Sequence, residues 1–127
     1  MTPAMMKTAL LTFTLILAAS PALCGNILIP GYDTLHFKAG KIEQEVLFRN
    51  PEENTCCFRM SLTFSNGLPV WTADDVLNPG EAFLRIDLER KLAPGTYRNA
   101  VMKYECYSLE DLARLNGAEI RVTIEAE

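Results

Sequence analysis

The sequence predicts an all-β fold, an immunoglobulin-like antiparallel β-sandwich of seven to eight strands. Three observations carry that expectation. Turn dipeptides recur along the chain: Pro30-Gly31, Asn66-Gly67, Pro79-Gly80, Pro94-Gly95 and Asn116-Gly117, and the segments between them are mostly of strand length. Several of those segments alternate apolar and polar residues with period two, the pattern of a strand with one buried face. No stretch beyond residue 22 keeps helical spacing for three turns. One-sided alternation with hairpin-length links favours two packed antiparallel sheets. An open barrel is the runner-up.

The strands follow in order. "ILI" (27–29), "TLHFKA" (34–39) and "EQEVLFRN" (43–50) come first. In "CCFRMSLTF" (56–64) the even positions Cys56, Phe58, Met60, Leu62 and Phe64 are apolar, while Cys57, Arg59, Ser61 and Thr63 share the other face. "LPVWT" (68–72) leaves open which face is buried, so Trp71 is assigned to neither. In "AFLRIDL" (82–88) the inward face is read as Ala82, Leu84, Ile86 and Leu88. In "YRNAVMKYECY" (97–107) Ala100, Met102, Tyr104 and Cys106 form the more apolar face, and Tyr97, Val101 and Tyr107 fall on the outward register. "EIRVTIEA" (119–126) closes the fold. The best helical candidate is "SLEDLARLNG" (108–117), one or two turns capped by Ser108 and stopped by Gly117.

The first 22 residues read as a secretory leader, with residues 23–127 as the single domain. Lys7 is the only charge before an apolar run from Ala9 to Ala19, and Ser20-Pro21-Ala22 supplies the small residues for cleavage after Ala22. The run is short for a bilayer span. The competing reading is a lipid anchor on Cys24, but Leu23 and Pro21 occupy positions where acylation favours a small and an aliphatic residue. Export is therefore expected, to the cell envelope or beyond it. The mature chain keeps 11 basic against 16 acidic residues, a net charge of −5. That balance argues against nucleic acid and anionic lipid surfaces as partners.

In an oxidising compartment the four cysteines are read by their facing. Cys56 and Cys106 both point inward and are expected to bridge the two sheets, for about 4 kcal/mol by loop-entropy arithmetic. Cys57 points the other way and is expected at the surface, joined to Cys24 or mediating a covalent dimer.

The runs "IPGYDTLHFKAGKIEQEVLFRNPEENTCCFRMSLTF", "VWTADDVLNPGEA", "LAPGTY" and "KYECYSLEDLARLNGAEIRVTIE" resemble a group of short exported proteins of Gram-positive bacteria, some of them lipoproteins. The resemblance covers nearly the whole mature chain. It implies a leader and a single β-sandwich, and no activity.

For chemistry, Cys57 is the candidate nucleophile, with Arg59 two positions on to favour the thiolate. His36 is the only histidine to serve as its base. The spacing does not unite them, and a spare cysteine explains Cys57 more simply. Met60, Met102 and His36 are ligand types that suit copper, but both methionines sit on core faces. Asp74-Asp75 with Asp33 or Asp87 lacks calcium-loop spacing. No cofactor or metal is expected. Trp71, Tyr97 and Tyr107 are the candidate binding surface for a protein or glycan. The function expected is a non-enzymatic binding or structural module, with a thiol- or metal-dependent protein using Cys57 or His36 as the alternative.

Overall fold

The computed structural model describes the backbone of Met6–Ala9 and Ala22–Cys24 and the whole of residues 27–127. The strands are β1 (Met6–Ala9), β2 (Ala22–Cys24), β3 (Ile27–Ile29), β4 (Thr34–Phe37), β5 (Glu43–Arg49), β6 (Cys56–Thr63), β7 (Pro69–Thr72), β8 (Glu81–Asp87), β9 (Gly95–Ser108) and β10 (Arg114–Ala126). Apart from Met6–Ala9 and Ala22, the expected leader lies outside the described residues.

One layer is the five-stranded sheet β4-β10-β9-β6-β7, and the other is built on β1-β8-β5. β2 and β3 form a separate two-stranded hairpin; Tyr32, just after β3, meets Phe48 of β5 edge-on and its hydroxyl accepts from the Arg49 amide at 3.3 Å. This is an all-β sandwich with immunoglobulin-like strand order. One pairing departs from an all-antiparallel reading, because β4 runs parallel to β10, Leu35 opposite Ile124.

Alternation explains the longest ladder. On β6 and β9, Phe58 faces Cys106, Met60 faces Tyr104 and Leu62 faces Met102. All six are fully buried, each large apolar side chain contributing about 1.5–3 kcal/mol. Opposite them stand Phe48, Phe83 and Ile86 from the second layer.

Where an extra residue enters a strand, the parity changes. Register shifts between Glu45 and Phe48 of β5, and at Leu84 of β8 against β1. Phe83 is consequently buried and Leu84 only half-buried, a correction to the inward face expected for β8. A shift between β6 and β7 likewise buries both Val70 and Trp71.

The expected helix over 108–117 is absent. Ser108 ends β9, and the Leu112 amide donates to the Ser108 carbonyl (2.9 Å). The Ser108 hydroxyl and the Asp111 carboxylate accept from the Glu110 and Ala113 amides. These short side chains satisfy the backbone locally and favour a tight turn over a helix. At the following bulge Gly117 is required, since a Cβ there would overlap the Tyr104 carbonyl.

Three buried amides hold the connections. Asn50 donates to the Cys56 and Leu77 carbonyls (both 2.9 Å). Asn54 donates to Asn50 Oδ1 (2.8 Å) and pairs with both backbone groups of Leu28, giving β3 a side-chain substitute for a neighbouring strand. Gln44 ties Lys38 to Lys41 in the same manner.

Burial pushes the Tyr104 hydroxyl well above its ordinary pKa of 10.0 and raises that of Tyr32. Unfolded tyrosines release their protons near 10, whereas these retain them in the fold. Their contribution is fully present below pH 10 and is lost as pH rises through the folded values. Urea midpoints are therefore expected to fall above pH 10. Tyr104→Phe should flatten that fall while costing about 1 kcal/mol at neutral pH, through loss of the 3.1 Å bond to the Pro30 carbonyl. An unchanged alkaline slope in the variant would contradict this assignment.

Candidate functional site

The five-stranded sheet turns one face to the core and the other away from it. On the outer face of β6 and β9, Arg59 stands opposite Glu105, Ser61 opposite Lys103, and Cys57 opposite Tyr107; Arg114 of β10 flanks Tyr107 on its other side. The Tyr107 hydroxyl donates to Glu105 (3.0 Å), and Lys103 lies 3.6 Å from the same carboxylate. The Tyr107 bond, then Arg114 and Lys103, holds the Glu105 carboxyl below the usual carboxylate range. That same bond raises the Tyr107 pKa.

Beside this row, the β9–β10 bulge opens a shallow depression lined by Lys103, Arg114, Glu119 and the backbone near Gly117. Beyond it, the hairpin tip carries Leu109 and Leu112, 47% and 67% exposed. Leu112 sits at φ 59°, a left-handed conformation that a leucine adopts only at a cost. A strained residue displaying a large apolar side chain to solvent is unusual in a turn that Gly or Asn would satisfy.

The expected site residues are distributed differently. Cys56 and Cys106 lie on adjacent strands of one sheet, opposite Ser108 and Phe58 respectively, so they cannot bridge the two sheets. No two described cysteines stand at disulfide distance. Facing was read correctly, but inward residues on neighbouring strands share a sheet.

Cys57 is on the outer face yet only 2% exposed, with its thiol 3.7 Å from the Tyr107 carbonyl. It is not the surface thiol expected, and a dimer bond there would need the face to open. The side chain of Cys24, and so its lipidation or bonding, lies outside the described residues.

Trp71 is buried between Phe48 and Phe83. Tyr97 was expected to point outward. The register shift between Val122 and Ile124, with Asn99 at φ 61°, reverses its parity. It packs on Phe64 at the core margin and its hydroxyl donates to the Ala93 carbonyl (2.6 Å), the arrangement of a tyrosine corner. Tyr107 alone of the three aromatics lies on the outer face.

His36 is exposed on edge strand β4, level with Glu125 of β10 and, through it, Thr96 of β9. Cys57 is level with Tyr107, eleven residues further along β9. At strand rise that separates the two by about 30 Å, with two strands between theirs. The imidazole cannot act as base for the thiol. Met60 and Met102 are in the core. Among the described residues, no group of three or more His, Cys, Asp or Glu is placed to hold a metal ion.

The sequence reading missed Leu109 and Leu112, which fell within its helical candidate over 108–117. Their only signal was two leucines among turn-forming residues. Compared with protein families, curated proteins and solved structures, the chain matches none.

Proposed function

We propose that this chain is a non-enzymatic, exported β-sandwich module that holds a protein partner at the β9–β10 hairpin tip and the adjoining outer sheet face. The observation that carries this is Leu112, kept exposed in a left-handed conformation beside exposed Leu109. Tyr107, Arg59 and Arg114 adjoin them, the aromatic and arginine types that anchor protein interfaces. The leader features of residues 1–22 and the resemblance to short exported proteins support the envelope or secreted setting. The separation of His36 from Cys57 weighs against thiol chemistry.

The test uses two variants, Leu112→Asn and Leu109→Ser with Leu112→Asn, in pull-downs from solubilised envelope fractions. Asparagine tolerates the left-handed conformation, so the melting temperature should hold or rise slightly. Partner recovered should fall at least tenfold, equivalent to about 1.4 kcal/mol. A partner retained equally by parent and variants would sink the tip as the binding site.

A further inference from the structure

We infer that the partner of the β9–β10 hairpin tip is a second copy of this chain, in a two-fold dimer where each tip lies across the other's outer sheet face. The inference rests on the binding role proposed for that tip.

Tip and face differ in sign. Residues 109–112, Leu-Glu-Asp-Leu, carry two acids and no base, and all four are exposed. The outer face beside them carries Arg59, Lys103 and Arg114 against Glu105 and Glu119. Lys103 lies 3.6 Å from Glu105, whereas Arg59, Arg114 and Glu110 enter no ion pair among the described residues. Within one molecule the complementary parts do not meet. Ser108 ends β9 and Arg114 begins β10, so the tip projects past the end of the ladder instead of over it.

A two-fold operation brings them together. Two outer faces stack with their β9 strands antiparallel, about an axis that crosses β9 at Tyr107. Residues 110–112 of one copy then stand over positions 102–104 of the other, at equal distance from the axis. There the second copy presents Lys103 level with Glu119, and the bulge where Ala118 stands opposite Tyr104. Glu110 and Asp111 meet Lys103 and Arg114, and Leu112 enters the depression that those two cations line beside Gly117. Gly117 has no side chain to fill it, and lysine and arginine offer apolar stems to a leucine. Tyr107 of each copy falls on the axis, an aromatic anchor at the centre of the interface. Each contact is made twice, so the assembly closes at two copies.

The overlap runs about 27 Å along the strands and about 14 Å across three of them, about 400 Å² of flat area in each copy. That is small for a stable complex, and the dimer belongs to the weak, reversible class.

The full chain is examined by sedimentation equilibrium with reductant present, from about 10 to about 500 µM, the range of a weak interface. The parent should pass from monomer to dimer across it. A tip variant, Glu110→Lys with Asp111→Asn, makes tip and face both positive; asparagine keeps the acceptor for the Ala113 amide. A face variant, Arg59→Glu with Arg114→Glu, makes both negative. Each alone should dimerise at least tenfold more weakly, with a melting temperature within a few degrees of the parent. An equimolar mixture should regain the parent's association, because every tip then meets a face of opposite sign. A monomeric parent, a dimer indifferent to both variants, or a mixture no stronger than its components would overturn the inference. If the parent stays monomeric while its tip captures a different protein that Leu112→Asn releases, the binding role stands and the second copy is wrong. A dimer that Leu112→Asn leaves unchanged counts against both.

Discussion

Asn50→Ala is expected to lower stability by about 3–5 kcal/mol, since each buried group left unsatisfied costs about 1–3 kcal/mol. The substitution removes a donor from the Cys56 and Leu77 carbonyls, the latter keeping the Phe58 amide at 2.9 Å, and takes the Asn50 acceptor from the Asn54 amide. All of these lie where water has little access, Asn50 and Asn54 being 1% and 5% exposed. Against a total of about 5–15 kcal/mol for a domain, that is a large fraction. Asn54→Ala should cost less globally and act mainly on β3, whose Leu28 backbone it pairs. Because the two asparagines share a hydrogen bond, the double variant should lose less than the sum of the singles. Urea unfolding of all four proteins measures this. A loss below 1 kcal/mol in Asn50→Ala would show that the network does not hold the layers as described.

That network also marks where sequence reading stops. Residues 50–54, "NPEEN", look like a solvated acidic loop, and Glu52 and Glu53 are indeed exposed. Composition carries no sign that the flanking asparagines turn inward to serve backbone groups of three elements. The ladders were legible because β6 and the second half of β9 alternate without interruption. Parity fails where one residue is added, and a single addition moves every later side chain to the other face. At Arg98-Asn99 and Val46-Leu47 no glycine announces the change. Tyr97 and Leu84 were accordingly assigned to the wrong faces, while Tyr107, beyond the last bulge of its strand, was not. The cysteines show a different limit. Facing is a local property, but which sheet an inward residue belongs to depends on strand order.

Trp71→Ala is expected to cost about 3–5 kcal/mol, the range for emptying a large aromatic site. Trp71 belongs to β7 of the five-stranded sheet, yet its ring contacts are with Phe48 of β5 at 5.5 Å and Phe83 of β8 at 5.6 Å, both in the opposite layer. The three rings therefore join the layers where β7 pairs with β6, Trp71 standing opposite Leu62. Aromatic pairs of this kind add about 0.5–1.5 kcal/mol beyond the area they bury. A binding-surface tryptophan would instead change stability by only about ±0.5 kcal/mol on truncation. The indole Nε1 has no hydrogen-bond partner among the described residues, so Trp71→Phe forfeits packing and no polar contact. It should retain well over half of the stability that alanine removes. Thermal melts separate the alternatives: a loss of 10 °C or more for Trp71→Ala is expected for a small domain. A shift of only a degree or two would mean that the layers are held together elsewhere.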